Sequence, residues 1–196
     1  MKISDLDKSP MLKACSCHII NHKNRLWDIN WNTLKNVTSL LKNESGRCYI
    51  ITSNDEICKI GYSDCKGGIK QTIKSYRDQG NSGSPSDRTH GIHIYIAEEL
   101  LKGNRVEFYF CLLEPIHQEI ILMNGSKTKL LTSISGKFLE EKNKELFKNI
   151  EGKYPKWNLQ ENNDCWPTYV TEGVSRLKEQ SLSVTIQEIR ERLGLL

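Results

Sequence analysis

Residues 46–63, with the sequence GRCYIITSNDEICKIGYS, determine the fold of this chain. Two short apolar runs, at about 48–53 and 57–62, flank the polar cluster NDE, and this pattern predicts a β-hairpin. Tyr49 lies on the first strand, and Lys59 follows it on the second strand. A purely structural hairpin does not require a lysine at that position. The two residues are therefore the first candidates for a functional site.

The composition indicates a globular chain with one sizeable domain. It has 196 residues, of which 37% are hydrophobic and 27% are charged. We expect a cytoplasmic protein, because no apolar run reaches the length of a membrane span and the start lacks the apolar core of a secretory signal. Seven scattered cysteines in such a chain do not indicate a disulfide framework. The net charge of +4 permits an anionic partner.

Hydrophobic spacing predicts further elements on both sides of the hairpin. Leu34, Val37, Leu40 and Leu41 indicate a helix within residues 25–44. The segment after the hairpin places Ile69, Ile73 and Tyr76 on one helical face, beside a basic stripe. The remaining predictions are a helix at about 87–102, a strand at 105–113, a hairpin turning at Asn124-Gly125, a helix at about 136–150 and a short terminal helix within 183–196.

Four segments follow one another in the order of the motifs of GIY-YIG nucleases. They are RCY at 47–49, KIG at 59–61, the helical segment FLEEKNKELF at 138–147 and YPKWN at 154–158. Residues 46–158 therefore resemble a GIY-YIG nuclease core, and they are most similar to a small type II restriction endonuclease of that family.

The chain departs from the family pattern at three places. Arg47 replaces the glycine of GIY, Lys59 replaces the tyrosine of YIG, and Lys70 lies near the place of the usual helix arginine. The resemblance implies a small α/β (α+β) fold with a three-stranded antiparallel sheet flanked by helices. The expected organisation is a helical N-terminal extension at 1–45, a core at 46–158 with a hairpin inserted at 117–134, and a C-terminal extension at 159–196.

The resemblance implies phosphodiester hydrolysis with a tyrosine as general base. Such a reaction needs a base for water, a cation at the leaving oxygen and positive charge around the phosphorus. Tyr49 takes the proton only if its pKa falls from about 10, and we expect Lys59 and an arginine to lower it. Arg88 is the first candidate for that arginine, with Arg77 as its alternate, and Tyr62 is a further catalytic alternate.

A glutamate on the helix at about 136–150 is the candidate metal ligand. One carboxylate suffices for Mg²⁺, with Mn²⁺ as an alternative, because Mg²⁺ keeps most of its waters. If Leu139, Leu146 and Ile150 define the buried face, with Phe147 beside it, helical geometry places Glu140 at its border and Glu145 further away. We therefore expect Glu140 to hold the metal, with Glu145 as the alternate.

The implied partner is double-stranded DNA, cut at a short sequence by a homodimer. We expect the hairpin at 117–134 and the loop at 79–88 to read bases, because the core handles phosphates. The candidate DNA-binding side chains are Lys66, Lys70, Lys74, Arg77, His90 and His93.

Two other functions fit the same sequence. One is a nucleic-acid-binding module of this fold without catalysis, and the other is a GIY-YIG nuclease of repair or phage defence without a short recognition site. Each candidate residue also has an ordinary structural interpretation, such as a packed strand tyrosine or an edge-strand lysine. Cys15, Cys17, His18 and His22 would place four ligands within eight residues, which is atypical of structural zinc sites.

Overall fold

The structure is a computed structural model that describes residues 1–6, 11–22, 25–42, 47–79, 85–111, 116–132, 134–181 and 183–195. These residues form a mixed α+β fold. The strands are β1 Met11–His22, β2 Arg25–Trp31, β3 Arg47–Ser53, β4 Glu56–Ser63, β5 Val106–Cys111, β6 Ile116–Ile121 and β7 Lys127–Thr132. The helices are α1 Lys35–Leu41, α2 Gly68–Arg77, α3 Asp87–Leu101, α4 Gly136–Glu151, α5 Thr168–Gln180 and α6 Ile186–Leu193.

The central sheet is antiparallel and has five strands in the order β2-β1-β5-β3-β4. The prediction of a three-stranded sheet is therefore wrong. The prediction of a helical N-terminal extension is wrong as well, because β1 pairs with β5 and β2 pairs with β1. On β2, Trp27 and Ile29 lie two residues apart and are both buried, which is the two-residue period of a strand. Of the helix predicted within residues 25–44, the structure contains only α1.

The β3–β4 hairpin forms as predicted. Its turn lies at Asn54 and Asp55, whose φ angles of 46° and 69° are the left-handed values that tight hairpin turns require. In the register, Tyr49 is opposite Gly61, and Ile51 is opposite Lys59. Because directly paired residues project from the same face of a sheet, Tyr49 and Lys59 are diagonal neighbours on that face.

The two faces of the sheet are covered by different elements. On the face that carries Tyr49 and Ile51, the main core also includes Ile69 and Ile73 of α2 and Ile92 of α3. On the opposite face, a second cluster contains Ile50, Ile60 and Phe147, so that α4 packs there against β3 and β4. The site described below therefore lies where elements from both faces approach β4.

Helix α4 buries a different face from the one predicted. Phe147 is buried, whereas Leu146 and Ile150 are 51% and 59% exposed, so the assignment of the latter two to the buried face is wrong. Part of the inward face is polar instead. Asn143 donates a hydrogen bond to the carbonyl oxygen of Leu139 and contacts the sulfur of Cys48 on β3. Spacing of apolar residues alone does not reveal such a face.

The additions to the core are a hairpin and two helices. β6 and β7 form a separate two-stranded sheet, and Gly125 in their connection has a φ of 78°. The C-terminal residues form α5 and α6. None of the helices in the described ranges is long and apolar enough to cross a bilayer.

Candidate active site

A polar cavity of about 380 Å³ opens at the face of β3 and β4 that carries Tyr49. Tyr49 and Lys59 reach it from these strands, Arg88 from the first turn of α3 and Glu140 from the second turn of α4. The structure thus brings together the four residues that the sequence nominated for catalysis. Further lining residues include Gly61, Tyr62, Ser63, Thr72, Ser75 and Tyr76.

A second tyrosine contacts the first one directly. The phenol oxygens of Tyr49 and Tyr76 lie 2.6 Å apart, and both side chains are buried. Sequence reasoning placed Tyr76 on the packed face of α2 and assigned it no role in the site. The sequence did contain one indication of such a role. A tyrosine on an otherwise apolar helical face needs a hydrogen-bond partner for its hydroxyl group.

The phenol of Tyr49 is held in its neutral form. Burial raises the pKa of Tyr49 well above its ordinary value, and the neighbouring Tyr76 raises it further, whereas Arg88 acts in the opposite direction. The expectation that Lys59 would lower this pKa is therefore not met. Burial outweighs the nearby positive charge.

Lys59 is an unusual side chain for its position on the sheet, since only 5% of its surface is exposed. Burial lowers its pKa to about 8, and the positive charge of Arg88 contributes to this shift. The negative charges of Glu161 and Glu140 oppose this lowering of the Lys59 pKa. The ammonium group is therefore retained at neutral pH and lost in mildly alkaline solution.

Glu140 lines the cavity and pairs with a lysine of its own helix. Lys144 Nζ lies 3.3 Å from Glu140 Oε1. Burial raises the pKa of the Glu140 carboxyl, and the positive charge of Lys144 offsets part of this shift. Glu145, the alternate candidate for the metal ligand, does not line the cavity. It is exposed and pairs with Lys142 at 2.8 Å.

The two candidate arginines have different surroundings. Arg88 is the second residue of α3 and lies within the N-terminal turn in which Ser86 Oγ accepts a hydrogen bond from the amide of Thr89. Arg77 instead ends α2 and binds two carboxylates, those of Asp78 at 2.7 Å and Asp28 at 3.2 Å. Arg88 faces the cavity, whereas the guanidinium of Arg77 is already engaged.

His90 and His93 do not reach a surface, which corrects their assignment to DNA binding. Both side chains are fully buried. His90 Nδ1 lies 2.9 Å from Gln79 Oε1, and His93 Nδ1 lies 3.0 Å from the carbonyl oxygen of Tyr76. They connect α3 to the end of α2. Their positions near Arg88 at the start of the helix did not distinguish them from surface residues, because histidine is intermediate in burial between apolar and charged side chains.

The basic residues of α2 and of the turn before it differ in how freely they could contact a phosphate. Lys66 is exposed, while Lys70 lies over the ring of Trp31 at 5.1 Å from its centroid. Lys74 is half-buried. Since Arg77 is paired with carboxylates, the lysines are the remaining candidates for contacts with phosphate.

Asn158, within the YPKWN segment, joins the C-terminal end of the core to β4. Its Oδ1 accepts a hydrogen bond from the amide of Ile60 at 3.0 Å, and its Nδ2 donates one to the carbonyl oxygen of Ile60 at 3.0 Å. Ile60 is the middle residue of KIG, between Lys59 and Gly61. Asn158 was part of a predicted motif, but its contacts with Ile60 could not be predicted from the sequence.

The sequence cluster of cysteine and histidine does not assemble into a metal site among the residues that the structure describes. There, no group of three or more His, Cys, Asp or Glu side chains is placed to hold a metal. Cys15 and Cys17 are buried on β1. The side chain of His22 lies outside the described residues.

No protein-family model and no curated protein matches the chain. Among solved structures, a mutant of bacteriophage T4 EndoII is similar with a TM-score of 0.46 and 18% identity, over 81% of this chain and 98% of that one. Restriction endonuclease HPY188I in complex with product DNA is similar with a TM-score of 0.43 and 21% identity, over 79% of this chain and 84% of that one. Similarity at this level defines no family for the chain, and the proposals below are based on the site itself.

Proposed function

We propose that this protein is a Mg²⁺-dependent endonuclease of GIY-YIG type that cuts double-stranded DNA at a short sequence, as type II restriction enzymes do. The observation that carries the proposal is the convergence of Tyr49, Lys59, Arg88 and Glu140 on one polar cavity. A phenol, two cations and a carboxylate are the groups that metal-assisted phosphodiester hydrolysis needs. The four come from separate elements, so ordinary packing along one helix or strand does not account for their meeting.

Glu140 suits a hard divalent cation. Its carboxylate lines the cavity, and the ion pair with Lys144 engages Oε1. Mg²⁺ is commonly held through one or two carboxylates and keeps several of its waters, so one glutamate is a sufficient protein ligand. When bound, the ion supplies positive charge at the leaving oxygen. Mn²⁺ would serve in place of Mg²⁺.

The remaining groups divide the other tasks. Arg88 presents a planar fork of donors that matches two phosphate oxygens, and Lys59 adds a second positive charge from β4. Tyr49 is the proposed general base, and its phenol oxygen lies 2.6 Å from that of Tyr76, so that a hydrogen bond donated by Tyr76 would stabilise the Tyr49 phenolate once its proton has passed to solvent. Because burial holds the Tyr49 pKa high, we expect Tyr49 to act as a base only after DNA and metal have entered.

Base recognition falls to two elements beside the catalytic groups. We propose that the hairpin at 117–134 and the loop at 79–88 read bases, and that Lys66, Lys70 and Lys74 contact phosphates. Residues 80–84 and 133 lie outside the described part of the chain. A palindromic site would be cut by a homodimer with one active site for each strand.

The raised pKa of Tyr49 favours a second function, a nucleic-acid-binding module without catalysis. A plasmid digest separates the possibilities. Incubation of purified protein with supercoiled plasmid and Mg²⁺ should give discrete bands. A smear would indicate a nuclease without a short site, and uncut plasmid that is nevertheless bound would indicate the binding module. Glu140→Gln should abolish cutting, whereas Glu141→Gln, one residue further along α4, is the matched control.

A further inference from the structure

Lys144 lies between two carboxylates beside the cavity. Its Nζ is 3.3 Å from Glu140 Oε1 and 2.7 Å from Glu161 Oε1. The side chains of Lys144 and Glu140 are only 13% and 12% exposed. On the same helix, the Lys137–Glu141 pair has the same spacing but is 4.0 Å long and widely exposed. An exposed pair of that kind contributes about 0–1 kcal/mol, whereas the Lys144 side chain is held between two partners.

The contacts of Lys144 continue to the strand that carries Lys59. Glu161 Oε1, which binds Lys144, also accepts a hydrogen bond from Asn158 Nδ2 at 3.3 Å. Asn158 in turn binds both the amide and the carbonyl oxygen of Ile60, directly after Lys59. A continuous series of polar contacts therefore joins Glu140 on α4 to the backbone of β4.

We infer that Lys144 is a positioning residue, which fixes the carboxylate of Glu140 relative to Lys59 by linking it through Glu161 and Asn158 to β4. The inference deepens the proposed nuclease function and rests on it. Lys144 is not among the residues that line the cavity. Its effect on the reaction passes through Glu140.

The physical reason is the freedom of a glutamate side chain. The last torsion of a glutamate is broad, so a carboxylate without a fixed partner samples many orientations. An ammonium group on Oε1 limits this rotation and thereby sets the direction of Oε2. Mg²⁺ demands nearly ideal octahedral geometry, and a misplacement of about 1 Å in an active site costs about a hundredfold in rate. Fixing Glu140 should therefore affect turnover and leave DNA affinity unchanged.

The test compares Lys144→Met with Lys144→Arg and with Lys137→Met, the control from the exposed pair on the same helix. Cleavage of a plasmid that the wild-type protein cuts is measured under single-turnover conditions at saturating Mg²⁺. Lys144→Met should lose about a hundredfold in rate, with DNA affinity, measured by fluorescence anisotropy, and fold, measured by circular dichroism, unchanged. Lys144→Arg should recover to within about tenfold of wild type, because arginine can bind both carboxylates. Lys137→Met should cut normally.

Two further variants test the series of contacts. Glu161→Gln should resemble Lys144→Met, and the double variant should be no slower than either single one, because residues that act through one network are not additive. A Lys144→Met protein that cuts within about threefold of wild type, well short of the loss expected from misplacement, would overturn the inference. So would additive losses in the double variant.

A spectroscopic measurement separates this inference from the proposed function. The side-chain amide resonances of Asn158 are recorded by NMR in the protein without DNA or metal. Lys144→Met should shift them and speed their exchange with solvent, while Lys137→Met should not. If the wild-type protein cuts no plasmid, the nuclease proposal and the catalytic role of Lys144 fail together. The resonances then decide whether the link from Lys144 to β4 exists, and unchanged resonances in Lys144→Met would refute that link as well.

Discussion

The phenol oxygens of Tyr49 on β3 and Tyr76 on α2 lie 2.6 Å apart inside the site, with their rings nearly perpendicular at an interplanar angle of 65°. Gly61 on β4 makes this pair possible. A Cβ atom at that position would collide with the phenol of Tyr49, so the glycine of KIG leaves the space that the ring occupies. Each phenol hydroxyl is the hydrogen-bond partner that the other needs within the apolar core.

The pair predicts that the two tyrosines differ in their effect on cleavage. Tyr49→Phe should abolish cutting and leave DNA binding nearly intact, since phenylalanine keeps the packing and removes the proposed base. Tyr76→Phe should be slower than wild type by about tenfold to a hundredfold, as for loss of one supporting hydrogen bond. Single-turnover rates and anisotropy titrations measure both. Retention of a tenth or more of the wild-type rate in Tyr49→Phe would remove Tyr49 from the mechanism.

Glu140 should be needed for cutting and not for binding. Glutamine keeps the shape of the side chain and removes the charge, so Glu140→Gln should bind DNA and fail to cut, with little rescue by added Mg²⁺ or Mn²⁺. Glu145→Gln should cut normally, because Glu145 is exposed and pairs with Lys142. Plasmid cleavage over a series of metal concentrations tests both variants. Normal cleavage by Glu140→Gln would assign the metal to another residue.

Tyr49 and Lys59 were found from local geometry, whereas Arg88 and Glu140 were found from the family resemblance together with helical spacing. Tyr49 and Lys59 share one hairpin, whose alternation and turn are legible in a short stretch. The strands β1 and β2 were missed although they pair with each other locally, with His22 opposite Arg25, because the apolar spacing within residues 25–44 was interpreted as helical. Only the pairing of β1 with β5 is remote, as the contact between Lys13 and Glu107, 94 residues apart, illustrates. Tyr76 was predicted to be packed, but its partner on another element was not.

The buried face of α4 was misjudged for a related reason. Leu146 and Ile150 fit an apolar stripe, yet both are exposed. The inward face instead carries Lys144, whose partners are acidic side chains on the same helix and beyond it. Apolar periodicity cannot identify an inward-facing charge, because its stability depends on a partner that the local sequence does not specify.

The buried histidines predict that the fold loses stability in mild acid. Burial lowers the pKa of His90 to about 4 and that of His93 to about 3, whereas an unfolded histidine titrates near 6.5. Below about pH 6.5 the unfolded chain binds protons that the folded protein does not, so the free energy of unfolding falls as the pH falls, down to the folded pKa values. The slope is about 1.4 kcal/mol per pH unit for each histidine.

Urea unfolding of the protein between pH 8 and pH 4.5 measures this loss. His93→Gln should show a shallower dependence on pH than the wild type, even if it is less stable at pH 8. Equal slopes for the wild type and His93→Gln would contradict the assignment.

Arg88 and Arg77 can be distinguished by removing the planar fork while keeping the charge. Arg88 lies in the first turn of α3 and lines the cavity, where Ile92 one turn later is fully buried and anchors the helix. We therefore expect Arg88→Lys to lose about a hundredfold or more in single-turnover rate at saturating protein, the scale of removing one transition-state donor.

Arg77→Lys should lose less than about tenfold in rate, since its guanidinium binds Asp28 and Asp78 away from the cavity. Its effect should appear instead as a lower melting temperature, because lysine cannot bind both carboxylates with one planar group. The reverse order of the two rates would give the catalytic role to Arg77 and leave Arg88 as a residue of the helix terminus.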